Sequence, residues 1–225
     1  LSNFRVGVLS NKNANPMEGQ WKDEGRILEK ESWAIDASIF KQNGKRYILW
    51  SGIPYEGMQR IYIQEMASPT KLVGEKLELS KPEYDWEKQG TADVHDVNEG
   101  PIALQRNGKT FVVYSASFCV TEHYKLGMLM IDDNKDPMIK ENWTKSDKPV
   151  FQESEKNKIY GPGHNGFTVS PDGKEDWIIY HALMNKDVGG NRLLMMQKFE
   201  WNKDGTPNFG TPQGRNKPLK KPSGE

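Results

Sequence analysis

Two acidic side chains and an imidazole recur along this chain at nearly equal intervals. Asp36 stands in Trp33-Ala34-Ile35-Asp36-Ala37, Glu99 in Val97-Asn98-Glu99-Gly100-Pro101, and His164 in Gly163-His164-Asn165-Gly166-Phe167. The steps between them are 63 and 65 residues. None has a charged partner in its own segment that would account for burial at a strand start. Two carboxyls held together in a half-buried cleft have their pKa values pushed apart, so one stays protonated while the other stays ionised. Cleavage of a glycosidic bond needs such a pair: a carboxylic acid protonates the leaving oxygen and a carboxylate activates water.

The elements that must position these residues repeat with the same period. Asn43-Gly44-Lys45-Arg46-Tyr47-Ile48-Leu49-Trp50-Ser51 is a turn followed by an aromatic and β-branched strand. Asn107-Gly108-Lys109-Thr110-Phe111-Val112-Val113-Tyr114-Ser115 and Asp172-Gly173-Lys174-Glu175-Asp176-Trp177-Ile178-Ile179-Tyr180-His181 repeat it. Gly44, Gly108 and Gly173 lie 64 and 65 residues apart, and Asn-Gly or Asp-Gly supplies the positive φ of a tight hairpin. Strand-like runs precede each turn (Ala37 to Phe40, Pro101 to Gln105, Gly166 to Ser170). Others follow it (Arg60 to Met66, Tyr124 to Ile131, Arg192 to Trp201), and a fourth strand is expected to carry Trp86 or Trp143. Four short antiparallel strands per unit predict an all-β propeller. No stretch has the three-and-four apolar spacing of a helix.

Residues 33–95, 96–162 and 163–225 make three units, and 1–32 read as the back half of another, through Arg5 to Leu9 and Gly19-Gln20-Trp21. That is about three and a half blades, against the four or more of a closed propeller. The expectation is a single propeller domain, incomplete at its N-terminus, whose missing blades come from another segment or chain. The chain begins at Leu1, with no signal peptide to read.

Composition narrows the partners. In 225 residues, 31 Lys and Arg balance 31 Asp and Glu, which argues against nucleic acid or an anionic membrane as partner. Mean hydropathy is −0.81, and no apolar run approaches the length of a membrane span. The single cysteine, Cys119, excludes an intrachain disulfide and a Cys-based zinc site, and reads as a small buried hydrophobe. Met128, Met130, Met195 and Met196 alternate with strand spacing and read as core. Asp93, His95 and Asp96 share one loop but fall short of a metal set.

Ala34-Ile35-Asp36-Ala37-Ser38-Ile39-Phe40, Asn98-Glu99-Gly100-Pro101 and Gly161-Pro162-Gly163-His164-Asn165-Gly166-Phe167 resemble the signatures of glycoside hydrolase family 43. The resemblance continues through Tyr47 to Gly52, Tyr114 to Cys119, Tyr180-His181-Ala182 and Trp201 to Pro207, nearly the whole chain. It implies a five-bladed β-propeller and an inverting glycosidase, most similar to exo-acting α-1,5-L-arabinofuranosidases. By that resemblance Glu99 matches the general acid and Asp36 the carboxylate that orients it and raises its pKa. His164 matches a channel histidine linked through water to a structural calcium ion, with no cofactor otherwise required. Arg192 matches an arginine of the sugar pocket, and Trp33, Asn98 and Phe118 stand near enough in sequence to line it.

The family's general base, an aspartate of the first blade, has no match; Asp23 lies in an outer-strand context and Asp136-Pro137 in a loop between units. The substrate implied is arabinan or arabino-oligosaccharide, and an extracellular substrate implies a secreted or periplasmic protein. A β-xylosidase, an endo-arabinanase and a non-catalytic carbohydrate-binding fragment of the same propeller are the alternatives. Each residue also has a purely structural role open to it: a backbone-bonding Asp36, a turn-capping Glu99, a core His164 and a surface-paired Arg192.

Overall fold

A computed structural model describes residues 3–54, 57–90 and 96–225. Strands β1 (Gly7–Ser10) and β2 (Lys22–Arg26) form a two-stranded antiparallel sheet. Three four-stranded sheets follow, each an antiparallel meander in chain order. The first is β3 (Ala34–Gln42), β4 (Lys45–Gly52), β5 (Arg60–Ser68) and β6 (Lys71–Ser80). The second is β7 (Asn98–Arg106), β8 (Lys109–Ala116), β9 (Lys125–Asp132) and the short β10 (Thr144–Lys145). The third is β11 (Tyr160–Val169), β12 (Asp176–Leu183), β13 (Arg192–Trp201) and the short β14 (Pro207–Asn208).

The second strand of each sheet explains why the repeated aromatic runs are apolar without interruption. Side chains alternate between the two faces of a strand, and both faces here are covered. Tyr47 and Leu49 enter a core shared with Val112 and Tyr114 of β8, whereas Ile48 and Trp50 pack with Ile27, Leu28, Val6 and Val8. Phe111 and Val113 in turn meet Ile178 and Tyr180 of β12 in a third core. The cores therefore lie between sheets stacked face to face. On β13 the alternation places Met195 against the third core and leaves neighbouring Met196 on the exposed opposite face, so the four methionines do not form one cluster.

Two of the hairpin turns have both central residues left-handed: Asn43 and Gly44 at φ 52° and 76°, Asn107 and Gly108 at 53° and 73°. This is the turn that matches strand twist. The third connection is longer. β11 ends at Val169 and β12 starts at Asp176, and Ser170 organises the loop by accepting from Gly173 N at 2.8 Å.

The tryptophans expected on fourth strands are not there. Trp86 sits in a 3-10 turn, Asp85–Glu87, and Trp143 ends another, Lys140–Asn142, just before β10. Their indole N–H groups bond the carbonyls of Asp147 and Pro137, both at 2.9 Å, which fastens loops rather than ladders. The Asp85–Glu87 turn carries a fully buried carboxylate. Glu87 accepts from Tyr114 Oη (2.9 Å), Asn98 Nδ2 (3.1 Å), Lys145 Nζ (2.9 Å) and the backbone amides of Glu83 and Tyr84.

Candidate active site

The first strand of each four-stranded sheet is kinked at the same place. Its register shifts between Ile35 and Ser38 in β3, Glu99 and Ile102 in β7, and Gly163 and Gly166 in β11. A left-handed residue sits in each kink: Asp36 (φ 56°), Gly100 (58°) and His164 (51°). Glycine adopts this conformation freely and aspartate at modest cost, but a histidine there is held by its surroundings. Such bulges bend a strand and re-aim a side chain. Asp36 and His164 are thus structurally equivalent to Gly100, and Glu99 stands one position ahead. It pairs across the ladder with Ser115 as Ile35 pairs with Ser51. The unequal sequence intervals come from that single offset.

A serine of one sheet ties down the kink of the next. Ser51 Oγ accepts from Gly100 N (3.1 Å) and donates to Asp36 Oδ2 (3.1 Å), while Gly100 N also reaches Asp36 Oδ2 at 3.1 Å. One sheet along, Ser115 Oγ accepts from His164 N at 2.7 Å. Each tie joins residues 49 apart, so the repeat sets both the kinks and what holds them.

Glu99 is held by two donors from different sheets, Gln59 just ahead of β5 and Tyr124 just ahead of β9. Tyr124 Oη donates to Oε1 at 2.6 Å and Gln59 Nε2 to Oε2 at 3.1 Å. Gln59 is brought there by a short parallel bridge, with Gln59 N on Asp96 O (2.9 Å) and Asn98 N on Gln59 O (3.0 Å). The Glu99 carboxyl is held above the ordinary value for a glutamate. Burial is the first cause; the Tyr124 hydrogen bond opposes it, and the Asp36 charge adds to it. The direction expected from Asp36 is present, but desolvation is the larger influence.

His164, with 46% of its side chain exposed, brings Nε2 within 3.8 Å of Asp36 Oδ1 and Nδ1 within 3.4 Å of Tyr124 Oη. Arg192, at the start of β13, points Nη1 at His181 Nε2, 3.2 Å away. His181 stacks on Tyr124 with ring centroids 5.5 Å apart and on His164 at 6.1 Å. Its pKa is lowered to about 4, first by burial and then by the Arg192 and His164 charges. It therefore stays neutral and accepts from Arg192.

The other candidates divide. Asn98 is fully buried, and its amide is committed to Ser80, Glu87 and Val97, so it supports the strand that carries Glu99 instead of facing a pocket. Trp33 is half-buried and meets Phe4 edge to face at 5.9 Å. Phe118 is half-buried and bonds Gln89 O through its backbone. Cys119 is partly buried, and its thiol is pushed up by burial and by the Glu99 charge, which places it in the field of the site. Asp23 and Asp136 are spent on turns, capping Gly25 N and Met138 N.

Sequence reasoning missed Tyr124, Gln59, His181 and the two serines. Ser51 and Ser115 had a signal, since both end a repeated strand. Tyr124 and Gln59 had none, because their role depends on how neighbouring strands meet.

Among the described residues, no group of three or more His, Cys, Asp and Glu side chains could hold a metal ion. His164 offers nitrogen where calcium takes oxygen, so these side chains do not make a direct calcium site. Asp93 and His95 lie outside the described residues.

The model of Glycosyl hydrolases family 43 matches residues 2–207. The chain belongs to that family. Relatives include an "Extracellular exo-alpha-(1->5)-L-arabinofuranosidase" of Streptomyces avermitilis, 42% identical over 93% of this chain and 44% of its own length. A protein of the same name from Streptomyces chartreusis is 41% identical over 84% of this chain and 57% of its own. The chain thus spans about half the length of these curated relatives. Among solved structures, an α-L-arabinofuranosidase from Lactobacillus brevis superposes with a TM-score of 0.87 at 40% identity, over 95% of this chain and 68% of that one. The all-β, stacked-sheet architecture is that of the family's propellers.

Proposed function

We propose that this family-43 chain carries the acid side of an inverting exo-α-1,5-L-arabinofuranosidase site, releasing L-arabinose from arabinan or arabino-oligosaccharides. The observation that carries the reading is Glu99, a carboxyl with a raised pKa in a two-donor clamp beside Asp36. In the reaction the Glu99 proton passes to the glycosidic oxygen as the bond to the anomeric carbon breaks. A carboxylate contributed from outside the residues matched here activates water on the opposite face. Inversion requires the two carboxyls to stand about 6.5–9.5 Å apart. Asp36 orients Glu99 and helps keep it protonated, and Arg192, Trp33 and Phe118 contribute to the sugar pocket. The names of the Streptomyces relatives support the sugar and an extracellular location.

The three meanders and the two-stranded sheet are read as three blades and the back half of another in a five-bladed propeller. A calcium ion bonded to His164 through water belongs to the same proposal. Its support is Asn165, 3% exposed with neither amide atom partnered among the described residues, a situation that calls for water. Chelation is expected to lower the melting temperature, with recovery on adding calcium.

The deciding experiment is Glu99→Gln in the full-length protein. Turnover of arabino-oligosaccharides, whose leaving group needs a proton, is expected to fall by about 10²–10⁴-fold, and turnover of an activated aryl arabinofuranoside far less. Equal losses on both substrates would remove Glu99 as the general acid. Release of xylose, or of internal fragments instead of arabinose, would redirect the substrate assignment.

A further inference from the structure

Tyr124 has no exposed surface, yet its hydroxyl ends against the one carboxyl whose proton the proposed reaction needs. The chain has been shaped around its ring. A Cβ added to Gly163 would lie 2.2 Å from Tyr124 Cε1, closer than atoms approach, so the inner strand of the third sheet must carry glycine there. On another side the His181 ring lies parallel to it, with 5° between the planes. The ring therefore has one place to be, and that place puts Oη 2.6 Å from Glu99 Oε1. Burial, followed by the Glu99 charge, drives the phenol pKa well above its ordinary value. The hydroxyl thus keeps its proton and acts as a donor at every working pH. His164 Nδ1, 3.4 Å from Oη, and the Ser115 hydroxyl stand on its other side.

We propose that Tyr124 is a positioning residue for the reaction, fixing the Glu99 carboxyl by occupying Oε1 so that the transferable proton is carried on Oε2. The proposal rests on Glu99 as the general acid. With Oε1 engaged by the short phenolic bond, Oε2 accepts the longer bond from Gln59 among the described residues. When the proton leaves Oε2 for the glycosidic oxygen, the C–O bond breaks and Glu99 becomes a carboxylate. Both donors then face a full negative charge and strengthen as it develops. The same bond favours the ionised acid, so Tyr124 works against burial in setting where Glu99 titrates.

The test is Tyr124→Phe in the full-length protein, which keeps the ring and removes the hydroxyl. The Glu99 carboxyl is followed by carbon NMR, its resonance assigned by its loss in Glu99→Gln. Its titration is expected to move to higher pH by about half to one unit, and the basic limb of kcat/KM to move with it. On arabino-oligosaccharide kcat should fall by about tenfold with KM nearly unchanged, and on an activated aryl arabinofuranoside the loss should be smaller. An unmoved Glu99 titration, or equal losses on both substrates with an unmoved limb, would overturn the proposal and leave Tyr124 as packing. In the unmodified protein the phenolic proton is expected as a slowly exchanging signal that shifts as Glu99 titrates, and failure to follow that titration would also overturn it. The titration readout needs no turnover. A Glu99 that proves not to be the acid is therefore distinguishable from a Tyr124 that does not hold it.

Discussion

At Glu99 the three strongest of five influences do not agree in sign. Burial raises its pKa, the Tyr124 hydroxyl lowers it, and the Asp36 charge raises it by a smaller amount than burial. A general acid must hold its proton until the glycosidic oxygen can take it, so the balance has to settle on the high side. Removing each influence should move the basic limb of the pH–activity profile in its own direction. Tyr124→Phe takes away a bond to the ionised form and moves the limb up. Asp36→Asn takes away a repelling charge and is expected to move it down, by up to about one unit, with kcat lowered by about tenfold or more because the orienting contacts to Ser51 and Gly100 change as well. A pH–rate series on oligosaccharide checks this; a limb that rises in Asp36→Asn would mean that the carboxylate acts on Glu99 only through geometry.

The elements place these groups through features that repeat, and one feature that does not. The aromatic runs after Asn43-Gly44 and Asn107-Gly108 were legible because the residues that turn the chain and the residues that fill two cores recur together. The equivalence of Asp36, Glu99 and His164 was legible only to within one residue, since the bulges at Asp36, Gly100 and His164 insert positions that spacing alone cannot assign. Trp86 and Trp143 were misplaced on strands because indoles suit a sheet as well as a loop that needs a long donor. The buried Glu87 gave no sequence signal at all, sitting among ordinary charges. Yet it gathers Lys145, Tyr114 and Asn98 directly behind Glu99. Glu87→Gln takes from Lys145 its buried partner but leaves it Glu83 and the Lys81 carbonyl, so the expected cost is about 1–3 kcal/mol. The denaturant midpoint should fall accordingly. Ser115→Ala, which strips the acceptor from His164 N, is expected to cost about 1–3 kcal/mol. Midpoints within experimental error of the parent in either variant would show that water replaces the lost partner.

Over the whole molecule, stability and chemistry meet where the second and third sheets face each other. Tyr124, His181 and His164 stack across that junction, and the half-buried His181 also meets Arg192 at Nε2. Its Nε2 accepts from Arg192, so a proton added there would meet donors instead of an acceptor, and its Nδ1 has no hydrogen-bond partner among the described residues. The folded pKa of about 4 lies below the ordinary histidine value of 6.5, so the unfolded chain binds more protons between those two values. Stability must then rise with pH across that window and fall on acidification from about pH 6.5 towards pH 4. The loss should be concentrated at this junction, loosening the Tyr124–Glu99 bond as the third sheet separates from the second. His181→Gln, which cannot gain the charge, is expected to flatten the dependence over that interval while lowering stability at neutral pH. Melting curves taken in steps from pH 7 to about pH 4 on both proteins decide it. Parallel curves for parent and variant would assign the acid sensitivity to the carboxylates and release His181 from the account.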